Sequence, residues 1–322
     1  MKNIKTKIIV SLVMAFFIFS PALTTFAQVM DVPDDNSEAK GLVISPSIIE
    51  EVVKPGQDLK IELEISNPSH IPLPIKSYIR EFDASDETGG VEFEEDPDSD
   101  RLSLPNWGKI IGPDFVLQPN AKRKVEIILS TPNDLPPGGY YGTVFFEILV
   151  PDKFYDASSL EIGGRVGALL FLISEGDIIQ KGEISESKIS DNLITRSQAK
   201  LELKFSNIGN VHLRPKGIIE IKNLITGHTK KLDVNGYTVL PQKTRKIETV
   251  LSDIYWPGIY QLKVTEQYGR DKNISTVQMN FYYLQLHHLL VMIVLVLIII
   301  ILLSPKLRKR IAFASIILVR GS

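Results

Sequence analysis

Leu59-Lys60-Ile61-Glu62-Leu63-Glu64-Ile65-Ser66-Asn67 is the stretch that decides the fold of this chain. Every second side chain up to Ile65 is aliphatic and those between are charged. That period of two sets one face of a strand in a core and the other in water. The pattern returns where Leu201, Leu203 and Phe205 alternate with Lys200, Glu202 and Lys204. It returns again where Tyr260, Leu262 and Val264 alternate with Gln261, Lys263 and Thr265. Pro55-Gly56, Pro136-Pro137-Gly138 and Pro257-Gly258 punctuate these runs, as turns require. No window between residues 28 and 283 carries the period of an amphipathic helix, so the expected fold class is all-β.

Working outward from Asn67, the landmarks of the first half recur in the second. Asn67-Pro68, His70, Pro72, the run 75–82, Leu117-Gln118-Pro119, Lys122-Arg123-Lys124 and Pro137-Gly138-Gly139-Tyr140 come in that order. Their counterparts are Phe205-Ser206-Asn207, His212, Pro215, the run 218–221, Leu240-Pro241, Lys243, Arg245-Lys246 and Pro257-Gly258-Ile259-Tyr260. From proline to glycine is 19 residues in one copy (119 to 138) and 17 in the other (241 to 258). Self-similarity of this kind means one supersecondary unit used twice. About seven short strands per unit fit an immunoglobulin-like β-sandwich. The first copy is longer between its asparagine and its proline, and the excess falls in residues 83–106. That acidic stretch contains Asp86, Glu87, Glu92, Glu94, Glu95, Asp96, Asp98 and Asp100, and reads as a loop or extra hairpin.

The two ends belong to neither unit. Residues 1–27 run from Lys2, Lys5 and Lys7 through an apolar stretch to Thr25-Phe26-Ala27, the order of a secretory signal peptide cut before Gln28. Residues 284–303 are almost wholly apolar, and Lys306, Arg308, Lys309 and Arg310 follow. This predicts one transmembrane helix with a basic cytoplasmic tail, 304–322, and with residues 28–283 outside. Tyr282 and Tyr283 stand where interfacial aromatics belong. The expected organisation is signal peptide 1–27, linker 28–40, sandwich domain 41–176 with the acidic insert, sandwich domain 177–283, helix 284–303 and tail.

Charge and composition exclude several classes of function. Of 36 basic residues 28 lie in 28–283, as do all 38 acidic ones, so the exported part is near −10 although the whole chain is −2. Such a surface argues against nucleic acid as a partner. There is no cysteine, hence no disulfide, thiol nucleophile or cysteine-ligated metal. No nucleophile elbow, His-Glu-x-x-His pair or phosphate-cradling glycine loop is present. Asp96-x-Asp98-x-Asp100 begins like an EF-hand loop, but Arg101 and Trp107 stand where glycine and glutamate are needed. No cofactor, metal site or catalytic residue is expected.

Ser103-Leu104-Pro105-Asn106-Trp107, Phe115-Val116-Leu117-Gln118-Pro119 and Pro137-Gly138-Gly139-Tyr140-Tyr141-Gly142 resemble the first domain of the WxL-interacting cell-surface proteins. The stretch 207–217, Asn-Ile-Gly-Asn-Val-His-Leu-Arg-Pro-Lys-Gly, is similar to their second domain. The resemblance implies two immunoglobulin-like domains on a membrane anchor, the first associated with peptidoglycan and the second with protein ligands.

These readings make the chain a non-enzymatic, single-pass membrane-anchored adhesion or scaffold protein of the cell surface, binding peptidoglycan or another surface protein. Trp107 and Tyr141 are the candidate ligand-binding residues, because aromatics at a sandwich end stack on sugars or anchor a partner. Tyr140 is assigned to the core, since Tyr260 repeats it. The alternative is a chaperone-like assembly factor that completes a partner by β-strand addition. Residues 168–173 are the apolar segment expected to stay unpaired for that purpose.

Overall fold

The structure, a computed structural model, describes residues 41–94, 102–149, 164–190, 193–194, 198–252, 254 and 256–305. The expected signal peptide, linker, Asp96-x-Asp98-x-Asp100 triplet and most of the basic tail lie outside them.

The first sandwich opens with β1 (Val43–Ser45), β2 (Ile48–Val53), β3 (Asp58–Ser66), β4 (Leu73–Ala84) and β5 (Val91–Phe93). A one-turn helix, α1 (Leu104–Trp107), leads into β6 (Gly108–Ile110), β7 (Asp114–Leu117), β8 (Lys122–Ser130), β9 (Gly138–Ile148) and β10 (Arg165–Ser174). One sheet has the order β1-β3-β8-β6, and the other β2-β10-β9-β4-β5, with β7 also on β4. The aliphatic face of β3 lies in the core with Leu63, Ile65, Ile127, Leu129, Phe146 and Leu170. Its charged face meets that of β8, where Lys124 reaches Glu62 at 2.7 Å and Lys122 reaches Glu64 at 2.8 Å. Pairs this exposed contribute little to stability; burial of the other face holds the strands together.

The second sandwich repeats the plan with β11 (Gly182–Ile189), β12 (Leu193–Ile194), β13 (Ala199–Asn207) and β14 (Lys216–Asn223). It ends with β15 (Thr229–Val234), β16 (Thr244–Leu251), β17 (Gly258–Tyr268) and β18 (Asn273–Tyr283). Its sheets are β11-β13-β16 and β12-β18-β17-β14-β15. In both copies an early strand joins the last one in parallel, β2 on β10 and β12 on β18. The fold is all-β and immunoglobulin-like.

The repeated landmarks have repeated jobs. The Asn67 amide donates to the carbonyls of Ile71 and Leu117, and its Oδ1 accepts from the Ser69 N–H. Asn207 donates to Val211 and Val239 and accepts from the Gly209 N–H. Each buried amide thus ties the end of one strand to two loops, saturating backbone groups that water does not reach. The prolines are followed by Asn120 and Gln242, both with positive φ, as the third position of a type II turn requires. Tyr140 donates its hydroxyl to the Pro136 carbonyl, and Tyr260 to the Trp256 carbonyl. A tyrosine bonded back to the chain four residues upstream is the corner device of immunoglobulin-like sandwiches.

Beyond Tyr283, helix α2 (Leu286–Leu303) is the one helix among the described residues long and apolar enough to cross a membrane, and none of it is buried in protein. Tyr283 itself lies in the second core beside Phe281 and Tyr260. Of the two tyrosines expected at a membrane surface, only Tyr282 is exposed.

Candidate functional site

The aromatic candidates of the first sandwich are not at its tip. Trp107 is 6% exposed and packs edge-on to Tyr140 in the first core, with its indole N–H donated to the Leu102 carbonyl at 3.1 Å. A ring placed so offers no face for stacking on a sugar. The acidic insert is likewise part structural, because Leu104 near its end lies in the core, beside Trp107 just after it.

Tyr141 faces the junction of the two sandwiches. Its hydroxyl accepts the His212 backbone N–H at 2.7 Å, and its ring lies among Phe82, Phe171 and the His212 imidazole. Gly139 makes room for it, since a Cβ there would stand 1.9 Å from the Tyr141 hydroxyl. The buried imidazole bonds Glu50 through Nε2 at 3.0 Å, and Arg214 pairs with the other oxygen of the same carboxylate. Burial lowers the His212 pKa against the pull of Glu50. The Glu50 carboxyl is raised by its own partial burial, yet falls on balance below the usual range through His212 and Arg214.

The β4–β5 hairpin reaches across the same junction. The Glu87 carbonyl accepts the Lys246 N–H at 2.6 Å, its carboxylate meets Lys204 at 2.9 Å, and Asp83 meets Lys243 at 2.5 Å. Asp86 gathers the N–H groups of Thr88, Gly89 and Gly90 at the tip. Gly89 has positive φ, and the Arg245 guanidinium occupies the space a side chain would fill. Between Phe82, Phe171, Leu240 and Arg245 a cavity of about 70 Å³ remains, far below the volume of a small-molecule site. His212, Glu50 and Arg214 were not singled out by sequence. Their pairing joins positions more than 160 residues apart and leaves no local signal.

The segment expected to be left open is closed. Residues 169–174 of β10 pair with β9 on one side and with β2 on the other, so the unpaired strand predicted at 168–173 is not found there. The open edge belongs to β18. Along Asn273–Tyr283 it pairs with β17 throughout, whereas β12, among the described residues, covers only Tyr282 and Tyr283. Over residues 273–281 no strand among the described residues pairs with the outer side, although β11 of the other sheet comes close enough for its Ile184 N–H to donate to the Ser275 hydroxyl.

Val277, Met279 and Phe281 of this strand face the core, while Thr276, Gln278 and Asn280 face water. Asn273–Tyr283 contains no charged residue and no proline. Natural sheets guard their edges with charges, prolines, bulges or very short strands. The other long edges here conform: Glu50 and Glu51 on β2, Lys122, Arg123 and Lys124 on β8, Glu183, Glu186 and Lys188 on β11. Lys230, Lys231 and Asp233 guard β15, and Arg245, Lys246 and Glu248 guard β16. Among the described edge strands longer than three residues, β18 alone lacks a charge.

No family model matches the sequence, and no curated protein matches it. Solved structures do. The class 5 fimbriae chaperone CfaA is 16% identical over 76% of this chain and 99% of its own, with a TM-score of 0.43. The CsuC–CsuE chaperone–tip subunit pre-assembly complex of archaic Csu pili from Acinetobacter baumannii gives 12% identity, 76% and 99% coverage and a TM-score of 0.39. The E. coli chaperone DraB gives 14%, 75% and 96%, and 0.36. Likeness at this level concerns the two-sandwich fold. The expectation of a wall-attached adhesion or scaffold protein is corrected by the packing of its aromatic candidate. The burial of Trp107 removes the stacking surface on which that expectation relied.

Proposed function

We propose that this chain is a membrane-anchored assembly factor of the chaperone class, which binds an extended segment of a protein partner by strand addition along β18. The supporting observation is the uncharged, proline-free edge at residues 273–281. An incoming strand there gains main-chain hydrogen bonds for affinity, and its alternate side chains meet the flank of the core beside Val277 and Met279 for specificity. In this reading α2 crosses the membrane, residues 28–283 lie outside, and the role is binding without catalysis. Membership of the WxL-interacting group is part of the same reading, since β18 belongs to the second sandwich, the one that resemblance associates with protein ligands.

The test is site-specific photo-crosslinking in the producing cell, with the reactive side chain placed in turn at Ile274, Thr276, Gln278 and Asn280. Strand addition predicts one partner, joined at positions that advance by two residues for each step of two along β18. Crosslinks confined to other surfaces, or to β18 without that regular advance, would overturn it.

A further inference from the structure

The end of the second sandwich from which α2 emerges is apolar in four separate pieces of chain. Ile225, in the turn between β14 and β15, is 70% exposed, and Trp256, before β17, is 65% exposed. Ile259 and Leu193 both stand in register with Tyr282, and all three are exposed. The backbone joins these pieces into one surface. Leu224 donates its N–H to the Ile259 carbonyl at 2.8 Å, and Ile225 Cδ1 lies 3.4 Å from where a Gly258 side chain would begin. The Trp256 carbonyl accepts the Tyr260 hydroxyl at 2.7 Å, which fixes the tryptophan's loop to the sheet. Leu284 donates to the Ile194 carbonyl, and exposed Leu286 opens the helix one residue after Gln285.

Single exposed apolar residues need no explanation, but a contiguous set that includes a tryptophan does. Tryptophan and tyrosine concentrate at the membrane–water boundary, where an apolar ring and a polar edge are both satisfied. The position of this set, at the root of the one helix among the described residues able to cross a membrane, selects its occupant. We infer that this end of the second sandwich is seated in the headgroup layer of the phospholipid bilayer that α2 enters, with Trp256 and Ile225 immersed beside Tyr282. Exposed Lys222 and His228 flank the set, within reach of lipid phosphates. The contact is apolar and interfacial, so it holds on uncharged phosphatidylcholine despite the acidic exterior. It fixes the sandwich at one tilt and holds the β18 edge at a set height above the surface.

The inference rests on α2 as a membrane span and is independent of what β18 binds. The full chain reconstituted in phosphatidylcholine vesicles tests it. Trp107 is the other tryptophan of the chain and is buried, so the emission of the wild-type chain less that of Trp256→Phe isolates Trp256. That component is expected at shorter wavelength than a water-exposed indole. It should lose most of its intensity to lipid brominated high on the acyl chain and little to aqueous iodide. Quenching by iodide and not by brominated lipid, in protein that floats with the vesicles, would overturn the seating alone. Failure to float would overturn the seating and the anchor together, while the crosslinking along β18 still reports on strand addition.

Discussion

At the scale of the residue, buried polar and aromatic groups explain more than exposed ones. Trp107 fills the first core, so Trp107→Ala should cost about 3–5 kcal/mol of stability through the cavity it leaves. Urea unfolding of the two-sandwich portion measures this, and a loss under about 0.5 kcal/mol would mean that the indole is not packed. Glu266 makes a different case. It is fully buried on the core face of β17, and Tyr237 donates its hydroxyl to both carboxylate oxygens at 3.0 and 3.1 Å. Burial pushes its pKa up to about 7 from 4.5, against the lowering effect of the Tyr237 hydrogen bond. A carboxyl that holds its proton more tightly folded than unfolded stabilises fully below pH 4.5, and that stability is lost as pH rises through 7. The loss is on the order of 3 kcal/mol. Glu266→Gln keeps an acceptor for Tyr237 and never ionises, so it should match wild type at pH 4 and exceed it at pH 8. Comparing the two proteins cancels His212, whose lowered pKa gives a contribution present above its ordinary value of 6.5 and lost as pH falls. Equal stabilities at pH 8 would mean that the carboxylate is solvated after all.

At the scale of the element, what matters is which strand edges are covered. The two copies share their strand order, but among the described residues β2 covers six residues of the last strand in the first sandwich and β12 only two in the second. That difference leaves β18 exposed. Gln278→Lys and Thr276→Lys place charges on the watery face, so stability should change by no more than about 0.5 kcal/mol. The same lysines guard the edge against pairing, and the double variant should lose the crosslinked partner while its thermal midpoint holds. A partner retained at full yield would locate its binding elsewhere. The β4–β5 hairpin shows the opposite case, since its tip already occupies the β16 edge at Lys246.

At the scale of the whole molecule, each sandwich has its own core, and Phe82, Phe171 and Leu240 with Tyr141 form a small third cluster that joins them. Tyr141→Phe leaves the buried His212 N–H without its acceptor, at a cost of about 1–3 kcal/mol. Glu50→Gln removes the charge shared by His212 and Arg214. The double variant should keep both sandwiches folded and loosen the junction, seen as a broader interparticle-free scattering profile and as two separated unfolding steps. A single cooperative step at the wild-type midpoint would mean that the junction depends on other contacts. The joint is built from ion pairs around an aromatic cluster, so high salt should loosen it only in part.

The sequence alone determined what depends on neighbours along the chain. Alternation at 59–65 and 201–205 predicts half-buried strands, the recurrence of Asn67 at Asn207 and of Pro119 at Pro241 predicts a repeated sandwich, and the run after Leu284 predicts an apolar helix. Periodicity and turn chemistry are local, so these features survive without knowledge of what packs where. Even the lack of charge in 273–283 stands in plain view, though it reads there as the approach to the apolar helix. Only the tertiary structure decided which aromatics are buried, since a tryptophan in a turn-rich stretch looks the same in a core as on a tip. It alone closed the edge at 169–174 and opened the one at 273–281, because strand pairing brings together residues over 100 positions apart. It alone gathered Glu50, Tyr141 and His212, and Ile225 with Trp256 and Tyr282. Burial, pairing and shared surfaces belong to the packed chain, and no stretch of sequence carries them by itself.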